Sequence, residues 1–204
     1  IMSGYVYFYN DYIKYIKKIL KKNYLGKIYY VSCERLNLGP VRNDINSAWD
    51  LSSHDIAICK YLFEKNLSIK NIYGYDFLKK DINDITSISA TIDQIKFDIK
   101  SSWLNPEKIR KIIIIGSKKM LLFDEMNSKQ PLKIYDNYVN FPKIDKFTKN
   151  IFNQSKYIFK GKSKTIKLSD QKPLILEIKE FIQSKKNITN LEFSENIIKT
   201  IKKI

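Results

Sequence analysis

A central stretch of the chain, ITSISATIDQIKFDIKSSWL (residues 85–104), decides the fold class. Apolar and polar residues alternate from Ile85 to Gln94 and again from Ile95 to Leu104. A period of two places successive side chains on opposite faces, so the pattern predicts two β-strands. Because these strands alternate instead of being apolar throughout, we expect one packed sheet face and one partly open face.

The same alternation continues on both sides of this stretch. Similar segments cover Ser68–Phe77, Arg110–Gly116 and Met120–Glu125, and short turns with Asp, Asn, Pro or Gly separate them. We interpret the series as a meander of antiparallel strands. Leu132–Tyr135 and Ser155–Phe159 are weaker strand candidates, on either side of an unassigned stretch around Pro142. The second sheet face is expected to carry the following isoleucines or their neighbours: Ile85, Ile88, Ile92 and Ile99.

Helical periodicity marks four other segments. Asn10 is placed to cap a helix over Asp11–Lys22, and Ser52 or Asp50 to cap a helix over Trp49–Lys65. Two later helices, from Pro173 and over Leu191–Ile201, follow the same pattern. The remaining assignments are strands at Tyr5–Tyr9 and Lys27–Leu36 and a long loop at Asn37–Ser47. The predicted architecture is α+β, with one large, mostly antiparallel β-sheet and helices packed on one face.

Composition narrows the class of protein. The 204 residues are 44% hydrophobic, enough for a core of one domain or slightly more, which excludes a disordered chain. The longest apolar run, around Ile112–Ile115, is far below the roughly 20 residues that span a bilayer, so no membrane partner is expected. Cys33 and Cys59 lie in separate segments without metal-ligand spacing, which predicts neither a disulfide framework nor a metal site, in a reducing cytoplasm.

The formal charge of +16 first indicates a nucleic-acid partner. The lysines, however, are scattered over every segment, and no block of five basic residues occurs. We therefore interpret them as solvated surface lysines and expect no nucleic acid.

One place in the sequence combines groups that suit proton transfer. His54 is the single histidine, and Asp50 precedes it by four residues, which puts both on one helix face. Histidine titrates near neutrality and a carboxylate can orient it, although a capping Asp beside a partly exposed His fits the spacing as well. Arg35 and Arg42 flank the adjacent Gly-Pro loop and are anion-binding candidates, unless they are only solvated charges. Neither a Walker loop, GxGxxG, GxSxG nor HExxH occurs, so the chain alone is not expected to be a complete enzyme.

The order of segments resembles the C-terminal domain of the Gfo/Idh/MocA family, the relatives of glucose-fructose oxidoreductase and inositol dehydrogenase. The resemblance rests on a first segment ending in Asn10, Leu25-Gly26-Lys27 before a strand, and Trp49-Asp50-Leu51 followed by His54 and Asp55. It continues in SWLNPEKIRKIIIIGSKKMLLFDE (residues 102–125) and PLILEIKEFIQSKK (residues 173–186), and covers essentially the whole chain. Tyr5 and Tyr7 depart from the family, in which many members have His or Arg in the first strand.

The resemblance implies a function for a longer protein. Residues 1–9 are then the last strand of a Rossmann domain that binds NAD or NADP, and residues 10–204 are a substrate-binding and oligomerisation domain. His54 becomes the acid/base residue at a sugar carbinol, with Asp50 as its partner, whereas cofactor-binding residues are not expected in this chain, which alone is predicted to be inactive.

Further details follow from the same resemblance. Candidate substrate-binding residues are Arg35, Arg42, Asn46 and Trp49. The loop LGPVRNDINSAWDL (residues 38–51) resembles members that act on nucleotide sugars in polysaccharide biosynthesis. A homodimer or homotetramer is expected to form through the open sheet face.

Two functions of other classes stay open. A non-catalytic module that binds a protein through its sheet would be favoured if His54 were buried and hydrogen-bonded to backbone. A binder of single-stranded nucleic acid would need Tyr and Phe clustered with lysines on one exposed face.

Overall fold

An eight-stranded sheet organises the chain. The computed structural model describes residues 2–139, 158–168, 172–183 and 191–202. The strands of the large sheet are β1 (Ile28–Leu38), β2 (Ser68–Tyr75), β3 (Ile85–Ile92), β4 (Ile95–Ser102), β5 (Leu104–Gly116), β6 (Met120–Asp124), β7 (Leu132–Tyr135) and β10 (Ser163–Ile166). They lie in the order β10-β7-β6-β5-β1-β4-β3-β2, and β8 (Tyr138–Val139) pairs separately with β9 (Ile158–Phe159).

Strand β1 interrupts the meander that the sequence predicts. It is parallel to β4, with Tyr30 opposite Lys96, and antiparallel to β5, with Cys33 opposite Ile112. Every other pairing in the large sheet is antiparallel, which confirms the α+β, mostly antiparallel fold class. The prediction of an unbroken meander was wrong because β1 carries fully buried residues such as Val31 and therefore occupies a central position.

Helices cover one face of this sheet. Helix α1 (Asp11–Lys21) places Tyr12 against Phe123, and helix α2 (Ser53–Phe63) places Phe63 against Phe97. The isoleucines Ile88, Ile92 and Ile99, expected on the open face, are instead buried in the core beneath the helices. Their strand neighbours Ser87, Ser89 and Asp98 take the open face, together with Ile85. The second alternative of the prediction, the neighbours, therefore holds at Ile88, Ile92 and Ile99, because a shift of one residue reverses the direction of a side chain in a strand.

Residues Val6–Tyr9 form a 3₁₀ turn instead of the predicted strand. Tyr7, Phe8 and Tyr9 are all buried, whereas a strand would direct the middle ring away from its neighbours. The turn leads directly into α1. The Asn10 side chain accepts hydrogen bonds from the backbone N–H groups of Tyr12 and Ile13, which confirms the predicted cap.

A π-helical turn at Ala48–Ser52 leads into α2. Neither Ser52 nor Asp50 caps this helix, because the Asn46 side chain accepts the backbone N–H of Trp49 at 2.9 Å. The prediction of the cap was therefore wrong by one turn. The predicted loop before it begins later than expected, since β1 extends to Leu38.

Two helices end the described chain, α3 (Pro173–Gln183) and α4 (Leu191–Ile201). Leu132–Tyr135 is a strand as predicted, whereas Pro142 and residues 155–157 lie outside the described residues.

No helix in the described part is long and apolar enough to cross a membrane. Within the same residues, no three His, Cys, Asp or Glu side chains are grouped to hold a metal ion.

Candidate active site around His54 and Tyr7

A row of polar side chains crosses the packed face of the sheet near one end. Arg35 of β1 lies opposite Ser101 of β4 and Arg110 of β5. Glu125, just beyond β6, donates its backbone N–H to the carbonyl of Arg110. One step earlier along the same strands the face is apolar, with Cys33 between Ile99 and Ile112. The helices therefore cover an apolar core that ends in a polar rim.

Arg35 and Asp55 form a buried, bidentate ion pair between β1 and α2. Arg35 Nε and Nη2 donate to Asp55 Oδ2 and Oδ1 at 3.0 and 2.8 Å, and the side chains are 4% and 2% exposed. Burial by itself lowers the pKa of Arg35, but the Asp55 carboxylate outweighs that effect and raises it. The Arg35 guanidinium is therefore charged, and the side chain that was expected to bind substrate already binds Asp55.

The hydroxyl of Tyr7 is the centre of a hydrogen-bond network. It accepts from Arg35 Nη1 at 2.6 Å and from Arg110 Nη1 at 3.0 Å, and donates to Glu125 Oε2 at 3.2 Å. The Arg35 guanidinium also lies 4.6 Å from the centre of the Tyr7 ring. Burial raises the pKa of Tyr7 although Arg35 opposes it, so the hydroxyl keeps its proton at neutral pH.

His54 lies at the edge of this network. Its half-buried ring meets the ring of Tyr7 edge to face, with 5.8 Å between centres. Nδ1 is buried and has no hydrogen-bond partner. Burial first, and then the charge of Arg35, lower the pKa of His54 below its ordinary value of 6.5. The imidazole is therefore neutral at pH 7 and able to accept a proton.

Asp50 does not hydrogen-bond to His54. Its Oδ2 accepts the indole N–H of Trp103 at 2.9 Å, which fixes the carboxylate one helical turn before the histidine. Through space the Asp50 charge raises the pKa of His54, but burial and Arg35 prevail. The predicted pair is thus arranged as two separate groups on one face, not as a bonded dyad.

The other predicted substrate-binding residues are distributed over the loop and its helix. Arg42 is exposed and forms a fork with the equally exposed Asp44. Asn46 serves as the cap of the π-helical turn, and Trp49 is half-buried against the core. Of the predicted residues, only Arg35 joins His54 in the network around Tyr7.

Four residues of the network were not predicted as site residues: Tyr7, Asp55, Arg110 and Glu125. For Arg110 the sequence does contain a signal. Arg110 shares the inward parity of Ile112 and Ile114, so a charge interrupts an otherwise buried row of apolar side chains. Charges at such positions are rarely found without a partner or a function.

A pocket of about 410 Å³ adjoins the network at Glu125. Tyr12, Phe123 and Pro173 supply apolar walls, and Glu125 and the exposed Lys167 supply charges. Lys167 forms no ion pair with a described residue. The network therefore opens on a cavity of the size of a small organic ligand.

Solved oxidoreductases share this fold. No protein-family model matches the sequence, and no curated protein does. UDP-N-acetylglucosamine 3-dehydrogenase from Acidithiobacillus ferrooxidans has 17% identity and a TM-score of 0.67, over 93% of this chain and 59% of that one. Aldose-aldose oxidoreductase from Caulobacter crescentus has 10% identity and a TM-score of 0.74, over 100% and 60%. A dehydrogenase from Clostridium difficile has 13% identity and a TM-score of 0.67, over 99% and 60%.

These likenesses confirm the predicted fold. The chain has the fold of the C-terminal domain of Gfo/Idh/MocA-type oxidoreductases. At 10–17% identity the likeness concerns the fold alone. The chain also spans no more than 59–60% of the length of these three proteins.

Proposed function

We propose that the chain is the substrate-binding domain of an NAD(P)-dependent oxidoreductase of the Gfo/Idh/MocA family that oxidises a CH–OH group of a sugar or nucleotide sugar. The observation that carries this proposal is His54, a neutral imidazole with an unpartnered Nδ1 on a fold that known oxidoreductases share. Among the described residues no backbone group hydrogen-bonds to His54 Nδ1, whereas such a bond would favour a non-catalytic module.

The proton step follows from the surroundings of His54. Oxidation of a carbinol by NAD(P)⁺ removes a hydride from carbon and a proton from the hydroxyl. His54 accepts that proton, since burial and the Arg35 charge keep its ring unprotonated beforehand. The carboxylate of Asp50, held by Trp103, then stabilises the imidazolium across one helical turn. Tyr7, fixed by two arginines, packs against the ring and limits its rotation.

We do not assign a dinucleotide site to the described residues. A phosphate cradle needs a glycine-rich turn at a helix N-terminus, whereas α1 follows Asn10 and α2 follows a π-helical turn. We therefore propose that a separate domain binds NAD(P). We also propose that the enzyme is cytoplasmic and acts in polysaccharide biosynthesis.

Assembly through the open sheet face belongs to the same proposal. Exposed apolar side chains on that face include Tyr73, Tyr75 and Ile113, which are 61%, 56% and 37% exposed. A homodimer or homotetramer would cover them. Sedimentation at tens of micromolar tests this directly, because a monomer would contradict the proposal.

A single histidine makes the substrate proposal testable by NMR. The imidazole C–H signals of His54 are the only ones of their kind in the chain, so each shift is assigned at once. We expect glucose, N-acetylglucosamine or their UDP derivatives to shift these signals at millimolar concentration or below. Ribitol and inorganic phosphate serve as controls for polyol and anion effects. If none of these sugars moves the signals, the proposal is wrong.

A further inference from the structure

Arg110 lies opposite Arg35 on the neighbouring strand, but fewer of its nitrogens form hydrogen bonds. Arg35 employs all three of its nitrogens, two on Asp55 and one on Tyr7. Arg110 employs Nη1 alone, which donates to Tyr7 at 3.0 Å and lies 3.4 Å from Glu125 Oε2. Its Nε is buried without a partner, and no described residue accepts from Nη2. Arg110 therefore holds donors that no described residue uses.

Glu125 likewise has a carboxylate oxygen that accepts no hydrogen bond from a described residue. Its Oε2 accepts from Tyr7 and Arg110, and no described residue donates to Oε1. The two side chains are 30% and 26% exposed, so both reach the surface beside the hydroxyl of Tyr7, whose ring contacts His54. A free donor and a free acceptor thus lie side by side at the rim of the site.

The network around Tyr7 carries as many cations as carboxylates, and Asp50 adds a further carboxylate one helical turn before His54. Arg35 is balanced by Asp55, Arg110 is balanced by Glu125, and Tyr7 and His54 are neutral at pH 7. Arg42, which sequence reasoning offered for anion binding, is engaged by Asp44 in the loop. Lys167 lines the adjoining pocket and is the one cation among the described residues that line it. An anionic ligand would therefore approach the Glu125 carboxylate, and the Arg110–Glu125 pair has no excess positive charge to attract it.

We propose that Arg110 and Glu125 select an uncharged sugar by binding its C6 hydroxyl together with the C4 hydroxyl beside it, and that they discriminate against the corresponding uronate. Glu125 accepts a hydrogen bond from the C6 hydroxyl while Arg110 donates to the C4 oxygen. The C6 carboxylate of a uronate offers no hydrogen to Glu125 and places like charges together, which is how sites reject a close analogue. This inference rests on the proposed function and specifies its substrate.

The test compares sugars that differ only at C6. Glucose and glucuronate, and UDP-glucose and UDP-glucuronate, are titrated into the whole chain at one pH, with the His54 signals as readout. We expect each uronate to bind at least about tenfold more weakly than its neutral partner. Glu125→Gln should reduce this ratio at least about tenfold, because it leaves Arg110 free for a carboxylate. Arg110→Gln should weaken binding of the neutral sugar and leave the uronate rejected.

Lys167→Gln is the matched control. It removes one charge from the same pocket without touching the pair, so the preference for the neutral sugar should persist. Equal or tighter binding of a uronate to the unaltered chain overturns the inference, as does an unchanged ratio in Glu125→Gln. If the Glu125→Gln variant does not fold, the Arg110→Gln variant provides the test. Unchanged binding of glucose to Arg110→Gln also overturns the inference. Sugar binding without discrimination refutes this inference alone, whereas no sugar binding refutes the proposed function as well.

Discussion

Arg35 donates to the Tyr7 hydroxyl at 2.6 Å while its guanidinium also lies 4.6 Å from the centre of the same ring. One arginine thus holds both the hydroxyl and the ring of the residue that packs against His54. The 3₁₀ turn, the central strand β1 and helix α2 are joined by this contact and by the Arg35–Asp55 pair.

Tyr7→Phe should therefore destabilise the chain. The substitution keeps the ring but leaves Nη1 of Arg35 and Nη1 of Arg110 without their shared acceptor. We expect a loss of about 1–3 kcal/mol in the free energy of unfolding, measured with urea. Tyr73→Phe, at a ring that is 61% exposed, is the control and should have little effect. A Tyr7→Phe chain as stable as the parent would show that the network contributes nothing.

Two arginine–aspartate forks of the same geometry allow a comparison of burial. Arg35–Asp55 and Arg42–Asp44 both have bonds of 3.0 and 2.8 Å, but only the first pair is buried. Arg35→Ala should cost about 3–5 kcal/mol because it strands the buried Asp55 carboxylate. Arg42→Ala should leave the midpoint of urea unfolding unchanged. Similar losses in the two variants would contradict the role of burial.

The depressed pKa of His54 predicts how stability depends on pH. Arg35, Arg110, Asp50, Asp55 and Tyr7 surround the ring, and the net effect with burial favours the neutral form. The unfolded chain then binds a proton more readily, so the contribution of His54 is complete above about pH 6.5. It is lost as pH falls from there through the folded pKa. In His54→Gln, the loss of unfolding free energy between pH 7 and pH 5 should be smaller than in the parent chain.

Loss of the imidazole should abolish most catalysis. In the protein together with its NAD(P)-binding domain, His54→Ala should lower kcat by at least about 100-fold, since a positioned base contributes 10²- to 10⁴-fold. Nucleotide affinity should change little, and His54→Asn should not restore turnover. Lys65→Ala, in an exposed ion pair, controls for nonspecific damage. Near-normal turnover in His54→Ala would remove His54 from the mechanism.

The chain by itself should not bind NADH or NADPH with useful affinity. The described helices begin without the glycine turn that surrounds a pyrophosphate. Calorimetric titration should give no binding tighter than about 100 μM, which corresponds to roughly −5.5 kcal/mol. A tighter complex would place a dinucleotide site within these residues.

Local patterns predicted the elements well. The Asn10 cap, both early helices and the alternating strands depend on neighbours within a few residues, which a sequence displays directly. The turn at Val6–Tyr9 was misassigned because its aromatic residues favour strands, whereas burial of three consecutive rings decided the outcome. Propensity yields to packing at such positions.

The site was only partly predictable because its contacts are long-range. His54 and Asp50 were found by their spacing in one helix. Tyr7 meets Glu125, however, across more than half of the chain, and no local pattern joins them. Cys33 and Cys59 likewise lie in separate segments, yet their sulfur atoms are 3.8 Å apart in the core as free thiols.

The central position of β1 has a consequence for biosynthesis. Both strands that flank it, β4 and β5, leave the ribosome much later, from Ile95 onward. Until then the nascent chain carries an unpaired strand whose Val31 and Cys33 have no finished core to enter. Closing such distant pairings is slow compared with hairpin formation. The emerging polypeptide should therefore depend on chaperones until β5 is complete, and messages truncated before that point should yield aggregating products.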